Sequence, residues 1–133
     1  MRSLLISLIS FFCLSLYAGD NATEVRIKGS STVIYIDQIG TSNVTRVWCG
    51  LSEGTYTTHN CSNATIDIDQ NGIGNTARAY SQVANHTGNE YKIEQDGNDN
   101  FGYIDADDDS NDMDIIQNGN NNDAEIYMQG DNN

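Results

Sequence analysis

The sequence predicts an all-β protein, a β-solenoid of four stacked strand-turn-strand repeats whose halves form two facing parallel sheets. Three observations carry this. Gln-x-Gly-x-x-Asn occurs four times, beginning at Gln38, Gln70, Gln95 and Gln117. Apolar residues alternate with polar ones on both sides of each copy, the period of a strand with one buried face. The glutamines are 32, 25 and 22 residues apart, so a unit of about 22 residues recurs with insertions of ten and three, a spacing typical of stacked repeat architectures.

Taken from the N-terminus, residues 1–18 read as a secretory signal. Arg2 provides the positive start, residues 4–16 an apolar run, and Tyr17-Ala18 the end that a peptidase would cut before Gly19. The run falls short of the ~20 apolar residues that span a bilayer, so stable membrane insertion is not expected. Residues 19–31 are either a targeting segment or, through Val25-Arg-Ile-Lys28, an extra edge strand. The repeat domain follows over 32–133, with copies at about 32–49, 62–82, 89–106 and 111–129.

Within each copy, the inward positions before the glutamine hold Thr32, Ala64, Asn89 and Asn111, then Ile34, Ile66, Tyr91 and Met113, then Ile36, Ile68, Ile93 and Ile115. Two residues past each glutamine stand Gly40, Gly72, Gly97 and Gly119, where a tight turn calls for positive φ. Three further on come Asn43, Asn75, Asn100 and Asn122. The alternation then resumes with Thr45, Ala77, Gly102 and Ala124, continues through Val47, Ala79, Ile104 and Ile126, and ends at Cys49, Ser81, Ala106 and Met128. Copies stacked about 4.8 Å apart place like on like, so the Gln and Asn amides satisfy one another up and down a column. Without neighbours, a buried amide is expensive. No proline interrupts the chain, so no ladder N–H is missing.

These residues resemble the curlin repeat of the bacterial curli fibres, roughly Ser-x5-Gln-x-Gly-x-x-Asn-x-Ala-x3-Gln. Gln70, Gly72, Asn75 and Ala77 match it, as do Gln117, Gly119, Asn122 and Ala124; the other two copies carry Thr45 and Gly102 at the alanine place. The leading Ser and trailing Gln are replaced throughout, and four copies stand where the family usually has five. The resemblance spans about residues 32–129. It implies an amyloid-like fold and a secreted subunit that self-assembles head to tail into extracellular fibres for biofilm matrix and adhesion, with a nucleator subunit and an outer-membrane secretion pore as partners. The alternatives are the minor nucleator subunit itself and a monomeric secreted β-solenoid binding module, an adhesin.

The formal net charge of −13 makes nucleic acid an unlikely partner. Loss of the signal leaves Arg26, Lys28, Arg46, Arg78 and Lys92 against nineteen Asp and Glu. Asp67, Asp69, Asp96, Asp99, Asp105, Asp107, Asp108, Asp109, Asp112 and Asp114 are expected on charged outer faces that either merely keep the chain soluble, the favoured reading, or also slow premature assembly until salt or divalent cations screen them. The acidic run at 105–114 lacks the glycine and glutamate of an EF-hand loop. Cys49 and Cys61 bracket the ten-residue insertion, and a disulfide closing it is expected in an exported chain. A zinc site built on them with His59 lacks a fourth ligand, and His86 reads as an exposed loop residue. Asn21, Asn43, Asn60, Asn63 and Asn85 begin Asn-x-Ser/Thr triplets that an Asn- and Thr-rich chain produces by composition. No nucleophile elbow, phosphate loop or distinct carboxylate pair is present, so neither an enzyme nor a cofactor is expected.

Overall fold

A computed structural model describes residues 12–17, 19–27, 31–49, 61–81, 86–106 and 110–128. Outside them lie most of the expected signal, the insertion at 50–60 with His59 and Asn60, the segment 82–85 with Asn85, the acidic residues 107–109, and the tail 129–133. Among the described residues there is no helix. The strands are β1 (Phe12–Tyr17), β2 (Ala22–Glu24), β3 (Val33–Thr41), β4 (Val44–Arg46), β5 (Cys61–Ser62), β6 (Thr65–Ile73), β7 (His86–Thr87), β8 (Glu90–Asn98) and β9 (Asp112–Asn118).

All pairings are parallel. The main sheet runs β1-β3-β6-β8-β9, and two smaller sheets pair β2 with β4 and β5 with β7. Register follows the motif: Ile36 pairs with Ile68, Ile68 with Ile93, and Ile93 with Ile115. Alternation fixes this register, since a slip of one residue would turn every isoleucine to solvent. The second half of each copy pairs more sparsely, through parallel bridges Val44–Thr76, Thr76–Phe101, Phe101–Asp123 and Ile104–Ile126. The expected second sheet is therefore mostly a ladder of single bridges; Ala77, Ala79, Gly102 and Ala124 are weak strand formers there.

The core lies between the halves. Ile34, Ile36, Ile66, Ile68, Tyr91, Ile93, Met113 and Ile115 from the main sheet meet Val47, Ala77, Ala79, Ile104 and Ala106 from the ladder, with Val25, Ile27 and Ile126 packed at the ends. Side-chain volume is shared across it: Tyr91 is buried in the copy that carries Gly102 where others have Thr or Ala. A Cβ at Gly102 would already lie 3.1 Å from Ile93.

Two corners turn the chain in every copy. One holds the positive-φ glycines Gly40, Gly72, Gly97 and Gly119, followed two residues later by Ser42, Gly74, Asp99 and Asn121, also left-handed. The other, just before the main-sheet strand, holds Ser31, Asn63, Gly88 and Ser110 with φ between 53° and 75°. Sequence reading foresaw only the first.

Several expectations change on the structure. His86 sits in β7, its backbone beside Cys61, because the parallel ladder continues up to the corner at Gly88. The N-terminal edge strand falls at Ala22–Glu24, just ahead of Val25-Arg-Ile-Lys28. The first copy, which the sequence reading leaves as an open end of the stack, is covered in the main sheet, since β1 pairs with β3 from Ile34 to Ile39. Asp105 is buried, its Oδ2 accepting the Tyr103 hydroxyl at 2.6 Å, so it is not part of a charged outer face.

Candidate functional site

The chemistry of this chain is concentrated in columns of amides that run along the stacking direction. Alternation points each glutamine into the core, and the parallel register sets Gln38 beside Gln70, Gln70 beside Gln95 and Gln95 beside Gln117. Each Nε2 donates to the Oε1 of the following copy, at 2.9, 2.9 and 2.8 Å. Its other hydrogen goes across the core to the opposite half: Gln70 to Val44 O at 3.1 Å, Gln95 to Thr76 O at 3.1 Å, and Gln117 to Phe101 O at 2.8 Å. The amide thus braces both halves while serving the column. Thr45 contributes a hydroxyl that donates to Gln70 Oε1 at 2.8 Å.

The asparagines form a second column at the glycine corner. Asn43 Oδ1 accepts the backbone N–H of Asn75, Asn75 Oδ1 that of Asn100, and Asn100 Oδ1 that of Asn122, each at 3.0 Å. Their Nδ2 groups donate to the glycine carbonyl one copy on: Asn43 to Gly72 at 3.0 Å, Asn75 to Gly97 at 2.8 Å, Asn100 to Gly119 at 2.7 Å. This explains the glycines twice over. Their φ is positive, and a Cβ on Gly40, Gly72 or Gly97 would collide with the carbonyl oxygen of the next glycine in the column. Gly119 is last, and a Cβ there would meet nothing nearer than Asn122 Nδ2 at 3.5 Å.

At the opposite corner, Asn89 Oδ1 accepts the Asn111 N–H at 2.9 Å, and Thr32 Oγ1 donates to Cys61 O at 2.7 Å. Thr32 and Asn89 thus each reach a neighbouring copy, while the buried Ala64 at the same place in the second copy has no polar group to do so. The trailing column of Cys49, Ser81, Ala106 and Met128 carries no amide. Cys49 and Cys61 lie at disulfide distance, their Cα atoms 5.4 Å apart.

Outward columns are polar. Tyr35, Asp67, Lys92 and Asp114 share one, and Asp37, Asp69, Glu94 and Ile116 the next. Lys92 Nζ pairs with Glu94 at 3.0 Å. Burial, then the carboxylates of Asp67, Asp37 and Glu94, push the Asp69 carboxyl above its ordinary pKa. On the other outer face Trp48 stacks on Tyr80 with centroids 4.0 Å apart, and Tyr80 meets the edge of Tyr103 at 5.4 Å. Among the described residues no three His, Cys, Asp or Glu side chains are placed to hold a metal ion.

Two members of these columns escaped sequence reading. Asn21 Oδ1 accepts the Asn43 N–H at 2.9 Å and its Nδ2 donates to Gly40 O at 3.2 Å; Thr23 Oγ1 donates to Gln38 Oε1 at 2.7 Å. The signal was present: Asn21-x-Thr23-x-Val25 repeats Asn43-x-Thr45-x-Val47. An alignment keyed on glutamine cannot find a copy that lacks one. No family model, curated protein or solved structure matches the chain.

Proposed function

We propose that the chain is a β-solenoid subunit of a secreted, curlin-like amyloid fibre, joined head to tail with other copies and serving as extracellular matrix and adhesive coat. The observation that carries this reading is the common polarity of the two amide columns. Gln38, Gln70 and Gln95 through Nε2, and Asn43, Asn75 and Asn100 through Nδ2, all donate toward the following copy; in the last copy, with no layer beyond it, Asn122 Nδ2 turns back to Asn100 Oδ1 at 3.0 Å. A ladder with one direction and identical members has no internal reason to stop at Gln117. Its C-terminal edge, β9, is paired on one side only among the described residues, and an unpaired edge is a template for another strand. A head-to-tail contact that does not close on itself yields a filament.

Secretion, a nucleator subunit and an outer-membrane pore belong to the same proposal through the resemblance of the repeat. The test is to incubate residues 19–133, following thioflavin fluorescence, electron microscopy and fibre diffraction. Fibres with a reflection at about 4.8 Å along their axis are expected. Monomers that persist at high concentration, with seeds and salt, would sink the proposal and favour a monomeric binding module. That second reading draws support from the covered N-terminal edge of β3.

A further inference from the structure

We propose that residues 12–27 form a displaceable cap on the N-terminal end of the stack, and that the last copy of a second chain, residues 111–128, takes their place when two chains join. The inference rests on the fibre reading above. β1 and β2 together make a fifth layer beside β3 and β4, at an offset of 22 residues, the same as between Gln95 and Gln117.

This layer reproduces the second half of a copy well and the first half poorly. Asn21 serves the Asn column, and Thr23 gives Gln38 Oε1 the hydroxyl that Thr45 gives Gln70. Backbone pairing continues too, from Ala22 N to Asn43 O at 2.8 Å and from Val47 N to Glu24 O at 3.0 Å. In the main sheet, however, the register position of the Gln column is taken by Leu16, which has no amide. Gln70 Oε1 accepts two hydrogens, one from Thr45 and one from the preceding glutamine; Gln38 Oε1 receives the first and, among the described residues, lacks the second. The cap thus ends the Gln column while closing both pairing edges.

The other end of the chain carries the complement. Gln117 Nε2 is the last donor of the column, and no described residue follows it with an acceptor in register. A second chain stacked on the intact cap would set Gln117 over Leu16 and forgo that bond. One that displaces the cap would bring Gln117 Nε2 to Gln38 Oε1 and Asn122 to the place of Asn21, with Ile126 and Met128 over Val47 and Cys49. The exchange gives up the Thr23 hydroxyl, since Ala124 stands at that position. Cleavage after Ala18, as the signal pattern predicts, removes β1 and leaves β2 covering half of the end. Joining then requires that β2 leave β4.

The test compares seeded growth of three forms of residues 19–133: the parent, a locked form with Ala22→Cys and Val44→Cys, and a loosened form with Asn21→Ala and Thr23→Val. Ala22 and Val44 are register partners outside the core, so oxidation ties β2 to β4. The oxidised locked form should not extend seeds and should regain parental growth on reduction, with the parent in the same reductant as reference. The loosened form, short of the cap's side-chain hydrogen bonds, should extend seeds about tenfold faster. Hydrogen exchange at the Ala22 and Val47 amides should rise in the loosened form while the β6 and β8 amides stay protected, which separates cap release from general unfolding. Equal growth of locked and parent forms, or no acceleration on loosening, overturns the cap and leaves the fibre reading intact. Failure of all three to form fibres overturns the fibre reading, and the cap with it.

Discussion

Replacing Gln70 by Met keeps the side chain's length and apolar stem and removes its amide. Gln70 is 1% exposed, so water cannot fill the vacancy. Three groups lose a partner: the Thr45 hydroxyl, one Gln38 Nε2 hydrogen and Gln95 Oε1. Val44 O does not, because Ala77 N still donates to it at 2.8 Å. An orphaned buried polar group costs about 1–3 kcal/mol, and the added thioether regains one methylene's worth of burial, about 0.8 kcal/mol. The net expectation is a loss of about 2–8 kcal/mol, a large share of the ~5–15 kcal/mol that holds a domain together. Guanidinium unfolding followed by circular dichroism measures it. Adding Thr45→Val removes one of the three orphans and should restore about 1 kcal/mol, a coupling that a double-mutant cycle detects. A Gln70→Met midpoint indistinguishable from the parent would refute the idea that the amide column stabilises the fold.

Three further outcomes are expected. Gly97→Ala puts a Cβ into the Gly119 carbonyl and should prevent stable folding, whereas Gly119→Ala makes only an ordinary contact with Asn122 Nδ2 at 3.5 Å and costs the ~1–3 kcal/mol of its positive φ. If chains stack, Gly119→Ala still folds by circular dichroism but fails to extend seeds, because the next copy's carbonyl then meets that Cβ. Asp69 has a folded pKa raised by burial and by its acidic neighbours, so its unfavourable contribution is complete at neutral pH and vanishes as pH falls below the ordinary Asp value. Asp69→Asn should therefore raise the thermal midpoint at pH 7 and not at pH 3. Tyr103 is pushed the same way by burial and by its hydrogen bond to Asp105; the folded state holds that proton, and stability declines as pH climbs past about 10, where an unfolded tyrosine ionises. Tyr103→Phe should flatten that alkaline slope, with tyrosinate absorbance as the companion readout.

The Gln, Gly and Asn columns are legible in sequence because each demands a particular group at a fixed spacing: a two-ended amide, a missing Cβ, a short amide beside a corner. The second corner is not, since Ser31, Asn63, Gly88 and Ser110 share a backbone conformation and no side chain. Asp105 was assigned to solvent on its charge, yet the Tyr103 hydroxyl gives a buried carboxylate the donor it needs. The fifth layer was hidden for another reason. Leu16 fits the alternation as well as any core residue, but removing the amide removes the feature by which copies are recognised.

The two corners differ in what they allow the chain to do. Between each glutamine and its asparagine the length never varies, because carbonyls and amides of neighbouring layers interlock there. All the extra residues, those between Cys49 and Cys61 among them, fall in the sequence between the end of one copy and the far corner of the next, where the described layers are held by backbone pairing and a few short side chains. One seam of the molecule is thus fixed to the residue and the other is elastic, so foreign segments spliced into the elastic seam would be carried outward without disturbing the spacing within.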